Sequence, residues 1–229
     1  MRNSLFKSIW VISIIIIPIL FSCASTQRKT REAEVYYKQG LICAYKHQFD
    51  CAINEYNKAI EINPMHFEAY LLRGIAYVRK FQYDKAIGDF SKAIEINPKS
   101  DLAYTFRAHA FVDKLQYDSA IADFGKAIEI NPGLPYDYVN RGLIYIQKGD
   151  YDQAISDFTK AIAIKPSHVL AYENRGYAYY LKQEYDKAWE DVQKAQDLGY
   201  TPSPKFLDHT GVYVHRQSLG RGKPQNSLG

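Results

Sequence analysis

FEAYLLRGIAYVRKFQYDKAIGDFSKAIEINPKS, Phe67 to Ser100, is the stretch that decides the fold, because its pattern returns at a fixed spacing before and after it. Gly74 is preceded by Gly40 and followed by Ala108, Gly142 and Gly176, each 34 residues from the last. Further columns in the same phase are Tyr36, Tyr70, Tyr104, Tyr138 and Tyr172, then Ala52, Ala86, Ala120, Ala154 and Ala188, then Ala59, Ala93, Ala127, Ala161 and Ala195, and finally Pro64, Pro98, Pro132 and Pro166. Columns that stay in phase this long indicate an array of repeated units rather than one globular core.

Each unit has an aromatic and a small residue in a first helix, then Ala, aromatic, Ala and Pro in a second. With its period, this pattern resembles the tetratricopeptide repeat. The units are 33–66, 67–100, 101–134, 135–168 and 169–200. The resemblance implies an all-α fold, a right-handed α-solenoid of five helix-turn-helix repeats. It also implies a protein-binding scaffold rather than an enzyme.

Composition excludes some partners. The net charge is +4, of which Arg2 and Lys7 supply two, and this is too mild to suggest a nucleic acid. Most of the 20 tyrosines fall in the repeat register, so we expect them to pack rather than to form a ligand box. We expect no cofactor, and the six histidines have neither the spacing nor the neighbours of a metal site.

The N-terminus has the layout of a secretory signal peptide, with cations, an apolar run and small residues before a cysteine. We expect residues 1–22 to be that signal, and Leu20 to Cys23 resembles the lipobox of bacterial lipoproteins, which implies lipidation of Cys23. Residues 23–32 are then a tether of about 20 to 30 Å if extended. The protein would be lipid-anchored in a bacterial envelope with its repeats in the periplasm, at the outer membrane rather than the inner. An uncleaved membrane anchor and a secreted protein are the alternatives.

An aromatic residue followed by aspartate recurs at the same position of every unit, and we expect this aspartate to be the N-cap of the second helix. These residues are Asp50, Asp84, Asp118, Asp152 and Asp186. A second pair of columns sets an arginine 16 residues before an aspartate, as in Arg107 and Asp123. Both change together in the first unit, to Gln39 and Glu55, so we expect structural salt bridges. The alternative is an arginine ladder for an anionic ligand.

Cys43 and Cys51 lie on either side of the turn in the first unit. An oxidising compartment would allow a disulfide between them. Cys43 also stands in a column of aromatic residues, which favours packing as a small apolar residue. The sequence leaves the two alternatives open.

The family resemblance places partners on the concave face, which the first helices line. We expect that face to be formed by the residues not used for packing: Leu71, Leu72, Ile75, Val78, Phe106, His109, Val112, Val139, Asn140, Leu143, Ile146, Asn174, Tyr177 and Tyr180. Such a groove suits a peptide with apolar anchors. The lysine and asparagine clamp that some relatives use for a C-terminal carboxylate is missing here.

These features predict a membrane-tethered scaffold or adaptor that binds a protein or peptide partner in an envelope assembly. A carrier or sensor of an envelope ligand such as a glycan is the alternative. In residues 201–229 we expect a short capping segment and then a disordered tail. That arrangement leaves the last unit open to a partner or to homodimerisation.

Overall fold

The computed structural model describes residues 17–199, and it contains ten α-helices and no strand within them. The helices are α1 (Ile17–Tyr45), α2 (Phe49–Ile62), α3 (Phe67–Arg79), α4 (Tyr83–Ile96), α5 (Asp101–Asp113), α6 (Tyr117–Ile130), α7 (Pro135–Lys148), α8 (Tyr151–Ile164), α9 (Val169–Leu181) and α10 (Tyr185–Asp197). They pack in consecutive pairs, so the predicted all-α repeat fold is confirmed. The chain divides into two compact units, Met1–Lys99 with α1 to α4 and Ser100–Gly229 with α5 to α10.

The core of each helix pair is built by the predicted columns. Tyr56, Phe90, Phe124 and Phe158 are fully buried, as are the alanines that face them. A Cβ atom on Gly74 would lie 2.6 Å from Phe90 Cε1, and one on Gly142 would lie 2.7 Å from Phe158 Cε1. The small residue of the first helix is therefore needed for close approach of the aromatic side chain of the second.

The second helices end just before the proline column, and their N-caps lie two residues earlier than predicted. Asn63 takes an extended conformation before Pro64, as steric conflict with the proline ring requires. Phe49 is already helical, Gln48 is the N-cap, and Asp50 lies in the first turn. The expected N-cap role of the aspartates is thus wrong.

Helix α1 is longer than the first helix of the other repeats, because it runs continuously from Ile17 to Tyr45. Residues 24–31, which lie within the predicted tether 23–32, are helical and span about 12 Å at 1.5 Å per residue. Their Gln, Lys and Arg residues favour a helix, and no Pro or Gly interrupts them. Within residues 17–199 no helix is long and apolar enough to cross a membrane.

Several predictions of sequence organisation lie outside this description. They concern most of the signal peptide, which ends at residue 22, and the capping segment and tail in 201–229. The lipidation of Cys23 also remains a prediction.

Candidate functional site

The candidate partner-binding surface consists of three rows of side chains on the first helices, spaced three residues apart along each helix. In the second compact unit, Ser100–Gly229, the rows are Phe106, Asn140 and Asn174, then His109, Leu143 and Tyr177, then Val112, Ile146 and Tyr180. His109 and Leu143 are exposed, and the other seven are half-buried. We name these nine residues the first-helix surface. In the first compact unit, Met1–Lys99, Leu72, Ile75 and Val78 occupy the same positions and are half-buried.

Two residues that the sequence assigned to this surface are buried instead. Leu71 has only 9% of its surface exposed. Val139 packs with Phe158, Ala171 and Ala178 in the core of the second unit. Each lies one residue before a surface position, and one residue turns a helix by about 100°, which moves the side chain onto the packed side. Neither can contact a partner, so both leave the candidate surface.

Neighbouring first helices meet at His109. Its Nε2 lies 3.4 Å from Asn140 Nδ2, and its ring meets the ring of Phe124 edge-on at 5.2 Å. Desolvation lowers the pKa of His109 below its ordinary value, and the charge of Asp113 opposes that shift. A neutral imidazole at this position leaves the first-helix surface without a formal charge near pH 7.

The amide and aromatic side chains of the last repeat have defined partners. Asn174 Nδ2 donates to the Leu170 carbonyl oxygen at 2.7 Å, so this side of the amide is satisfied within its own helix. The rings of Tyr177 and Tyr180 stack with centroids 6.5 Å apart and planes 16° apart. Tyr180 also contacts Tyr185 at 5.8 Å. The surface therefore has one amide and two aliphatic side chains on α7, and one amide and two tyrosines on α9.

The arginine column pairs with the aspartate column inside each repeat, which confirms the structural interpretation. Arg107 donates through Nε and Nη2 to the two carboxylate oxygens of Asp123, at 2.7 and 2.8 Å. The same two-bond geometry recurs for Arg73 with Asp89, Arg141 with Asp157 and Arg175 with Asp191. These hydrogen bonds raise the pKa of Arg107, and its guanidinium is committed to Asp123. The arginines do not form a ladder for an anion.

A second ion-pair series was missed from the sequence. Lys182 Nζ, near the end of a first helix, donates to Asp152 in the first turn of the preceding second helix at 2.5 Å. Lys80 pairs with Asp50 and Lys148 with Asp118 in the same way. The aspartates thus link one repeat to the next instead of capping helices. A lysine column in phase with the repeat, 30 residues after the aspartates, could have indicated this.

Cys43 and Cys51 form a disulfide that joins α1 to α2, with their Cα atoms 5.7 Å apart. Cys43 is also buried, so packing and bonding occur together in the structure. The bond closes the helix pair of the first repeat across its turn. The sequence left open a disulfide or apolar packing of Cys43, and the structure shows both.

Asp137 is a buried acid that sequence reasoning did not single out. It stands in the column of Ala69, Ala103 and Ala171, all fully buried. Its position in a column of alanines could have indicated from the sequence that this acid is buried. Among residues 17–199 no cluster of three or more His, Cys, Asp or Glu residues could hold a metal ion.

Models of the tetratricopeptide repeat match the chain over residues 33–80, 67–100, 102–134 and 142–183. A crystal structure of MamA protein is 30% identical, with a TM-score of 0.69 over 72% of this chain and 91% of that one. The structure of YrrB, described as a TPR protein with an unusual peptide-binding site, is 25% identical, with a TM-score of 0.65 over 76% of this chain and 89% of that one. MamA residues 41 to the end from Desulfovibrio magneticus RS-1 match at 19% identity, with a TM-score of 0.68 over 73% of this chain and 94% of that one, and share the fold. No curated protein sequence matches. The chain belongs to the tetratricopeptide repeat family.

Proposed function

We propose that this protein is a membrane-tethered scaffold or adaptor that binds a peptide segment of a protein partner in a bacterial envelope assembly. The observation that carries the proposal is the first-helix surface of the second unit. It is uncharged, it joins neighbouring first helices at His109 and Asn140, and its apolar side chains are only partly covered. YrrB, which shares the fold, is described as having a peptide-binding site.

The chemistry of the surface specifies the peptide. Leu143 is exposed, and Phe106 and Ile146 are half-buried, so an apolar side chain of a partner can bury its surface against them. Asn140 supplies amide groups that can bond a peptide backbone. The absence of formal charge in the nine residues favours apolar anchors over a terminal carboxylate.

The envelope location draws support from two independent features. The N-terminal sequence through Cys23 has the order of a lipoprotein signal. The Cys43–Cys51 disulfide belongs to the kind of bond that persists in oxidising compartments such as the periplasm.

Photo-crosslinking in the native envelope tests the binding surface. A benzophenone amino acid at Leu143 should yield a discrete crosslinked product, and the same group at Gln153, exposed on α8, serves as the control. Leu143→Arg introduces a charge into the apolar row and should remove the product formed by a probe at Ile146. Equal crosslinking from Leu143 and Gln153, or no effect of the arginine, would reject the surface.

The tether is tested separately with Cys23→Ala. Loss of the lipid should release the protein from the membrane fraction and change its mass, whereas Cys51→Ala should leave both unchanged. If the Cys23→Ala protein stays in the membrane fraction at unaltered mass, the lipid anchor is wrong while the peptide surface still stands.

The stacked pair Tyr177 and Tyr180 favours a second candidate, a carrier or sensor of an envelope glycan. Partly exposed, nearly parallel rings offer flat apolar faces to sugar rings. Tyr177→Ala with Tyr180→Ala should then abolish binding to purified peptidoglycan fragments measured by calorimetry. Binding that is absent in the unaltered protein removes this candidate.

A further inference from the structure

Successive repeats contact each other through one side of the first helix. Ala69 on α3 is fully buried and packs against Ala59 and Ile60 of the preceding repeat. In the second unit Ile144 on α7 packs against Ala108 and Phe124 of the preceding repeat. This side of a first helix therefore accepts the second helix of the repeat before it.

In the part of the chain that the structure describes, that side of the first repeat is exposed. Val35 stands in the column of Ala69 and is 65% exposed, while Ile42 stands in the column of Ile144 and is 48% exposed. Terminal repeats of such arrays usually carry polar outer faces. Here the exposed Val35 is larger and more apolar than the buried alanine that other repeats carry in the same column, such as Ala69.

The exposed side of the first repeat also carries a lysine, Lys46. Lys46 continues the column of Lys80, Lys148 and Lys182, each of which bonds an aspartate in the first turn of the preceding second helix. Within residues 17–199 no repeat precedes the first one, and no ion pair there involves the Lys46 side chain. The side therefore retains the recognition groups for a helix that carries aspartate in its first turn.

Helix α10 carries such an aspartate. Asp186 is exposed in its first turn and continues the column of Asp118 and Asp152. Gln193 is exposed in the column of Thr159, which accepts a hydrogen bond from Arg175 Nη1 of the following repeat at 3.0 Å. The corresponding residue of the first repeat, Gln39, is exposed on α1, so two amides would meet where an arginine and a threonine meet inside the chain.

We propose that α1 of one molecule packs head to tail against α10 of a second copy, with Lys46 bonded to Asp186 of that copy. The contact repeats the interface seen between repeats and covers Val35 and Ile42. Pairing of α1 with α1 of the second copy is disfavoured, because an antiparallel arrangement would bring Arg31 against Lys46. A head-to-tail contact joins two different surfaces, so it builds rings or chains of molecules whose size depends on concentration.

Zero-length crosslinking between amines and carboxylates tests the contact. Full-length protein in detergent is prepared with and without ¹⁵N and mixed, and a carbodiimide is added. Mass spectrometry should then find Lys46 joined to Asp186 in peptides of mixed isotopic origin. Sedimentation velocity of the same samples should show oligomers that grow with concentration.

Charge reversal supplies the decisive comparison. Lys46→Asp and Asp186→Lys, each alone, should weaken self-association about tenfold, and the two together should restore it. Lys160→Glu, an exposed reversal on α8, is the control and should leave association unchanged. Circular dichroism confirms that each variant is folded.

Several results would overturn the proposal. They are a monomer at all concentrations, single reversals that sediment like the unaltered protein, or a double variant that associates no better than either single one. A Lys46 crosslink to α1 of the second copy would show a different interface and would equally reject it.

Discussion

Replacing Asp137 with alanine is expected to stabilise the protein at neutral pH. The side chain is only 3% exposed, and Thr105 Oγ1 donates to its Oδ1 at 3.0 Å. The other carboxylate oxygen, Oδ2, has no hydrogen-bond partner within residues 17–199. Alanine fills the same position in three other repeats, so the site accepts the smaller side chain without a new backbone conformation.

The size of the effect follows from four contributions to the free energy of unfolding. Removing an unsatisfied buried acceptor gains about 1 to 3 kcal/mol, and losing the Thr105 hydrogen bond costs about 1 kcal/mol. Loss of a negative charge in the first turn of α7 costs about 0.3 to 1 kcal/mol. Alanine gains roughly 0.5 kcal/mol as the better helix former. The net gain is about 1 kcal/mol, or about 2 to 4 °C in Tm for a chain of this size.

The gain should depend on pH in a defined direction. Burial raises the pKa of Asp137 above its ordinary value, the Thr105 hydrogen bond opposes this, and the charge of Asp101 adds to it. Below the unfolded pKa of about 4 the carboxyl is protonated in both states, and its contribution to stability is fully present. That contribution is lost as pH rises through the folded pKa. The advantage of the alanine variant is therefore smallest in acid and grows with pH.

Urea denaturation followed by circular dichroism, from about pH 4 to about pH 8, measures the difference. Thr105→Val with Asp137→Ala is the matched control. It removes both partners and should equal or exceed the stability of the single variant, because no hydroxyl is left without its acceptor. A variant that is less stable than the unaltered protein at neutral pH would refute the reasoning. A stability difference that does not change with pH would do the same.

Three further changes test the repeat framework by urea denaturation. Arg107→Ala should cost about 3 to 5 kcal/mol because Asp123 is left buried without its partner, and a double-mutant cycle showing no coupling would contradict the pairing. The Gly125→Ser variant should be at least as stable as Gly125→Ala, despite the lower helix propensity of serine. Arg141 Nη1 lies 3.5 Å from the position of the added Cβ, so the serine hydroxyl offers it an acceptor. A serine variant clearly less stable than the alanine variant would argue against this contact. Leu115→Gly should gain about 1 kcal/mol, since Leu115 holds a φ of 58° where Gly149 holds 82° in the next repeat; a loss would mean that Leu115 packs.

The fold was predictable from the sequence because its information is repeated. Columns such as that of Gly74 require a small residue for a direct steric reason, and the structure confirms the contact with Phe90. The pairing of Arg107 with Asp123 was predictable for another reason. Both columns change in the first repeat, to Gln39 and Glu55, which indicates that the two side chains depend on each other.

Side-chain direction was harder to predict than helix position. Leu71 and Leu72 are adjacent leucines in the sequence, yet only Leu72 remains on the candidate surface. Periodicity gives the helix, but an error of one residue rotates a side chain by about 100°. Asp50 was misassigned for a similar reason, because an acid near a helix start is compatible with either the cap or the first turn. Only the column of Lys80, in phase with the aspartates, indicates the ion pair.

The departures of the first repeat from its columns bear on self-association. A repeat that ends an array has no packing demand on its outer side, and solubility favours polar side chains there. Gln39 follows this expectation, since an exposed amide stands there where the other repeats carry a half-buried arginine. Val35 departs in the opposite direction, because an exposed valine stands where alanine is buried in other repeats. Lys46 does not depart at all, although no aspartate precedes it. An apolar side chain and a lysine on the same uncovered side are explained together by a helix that docks there, whereas solubility explains the lysine but not the valine.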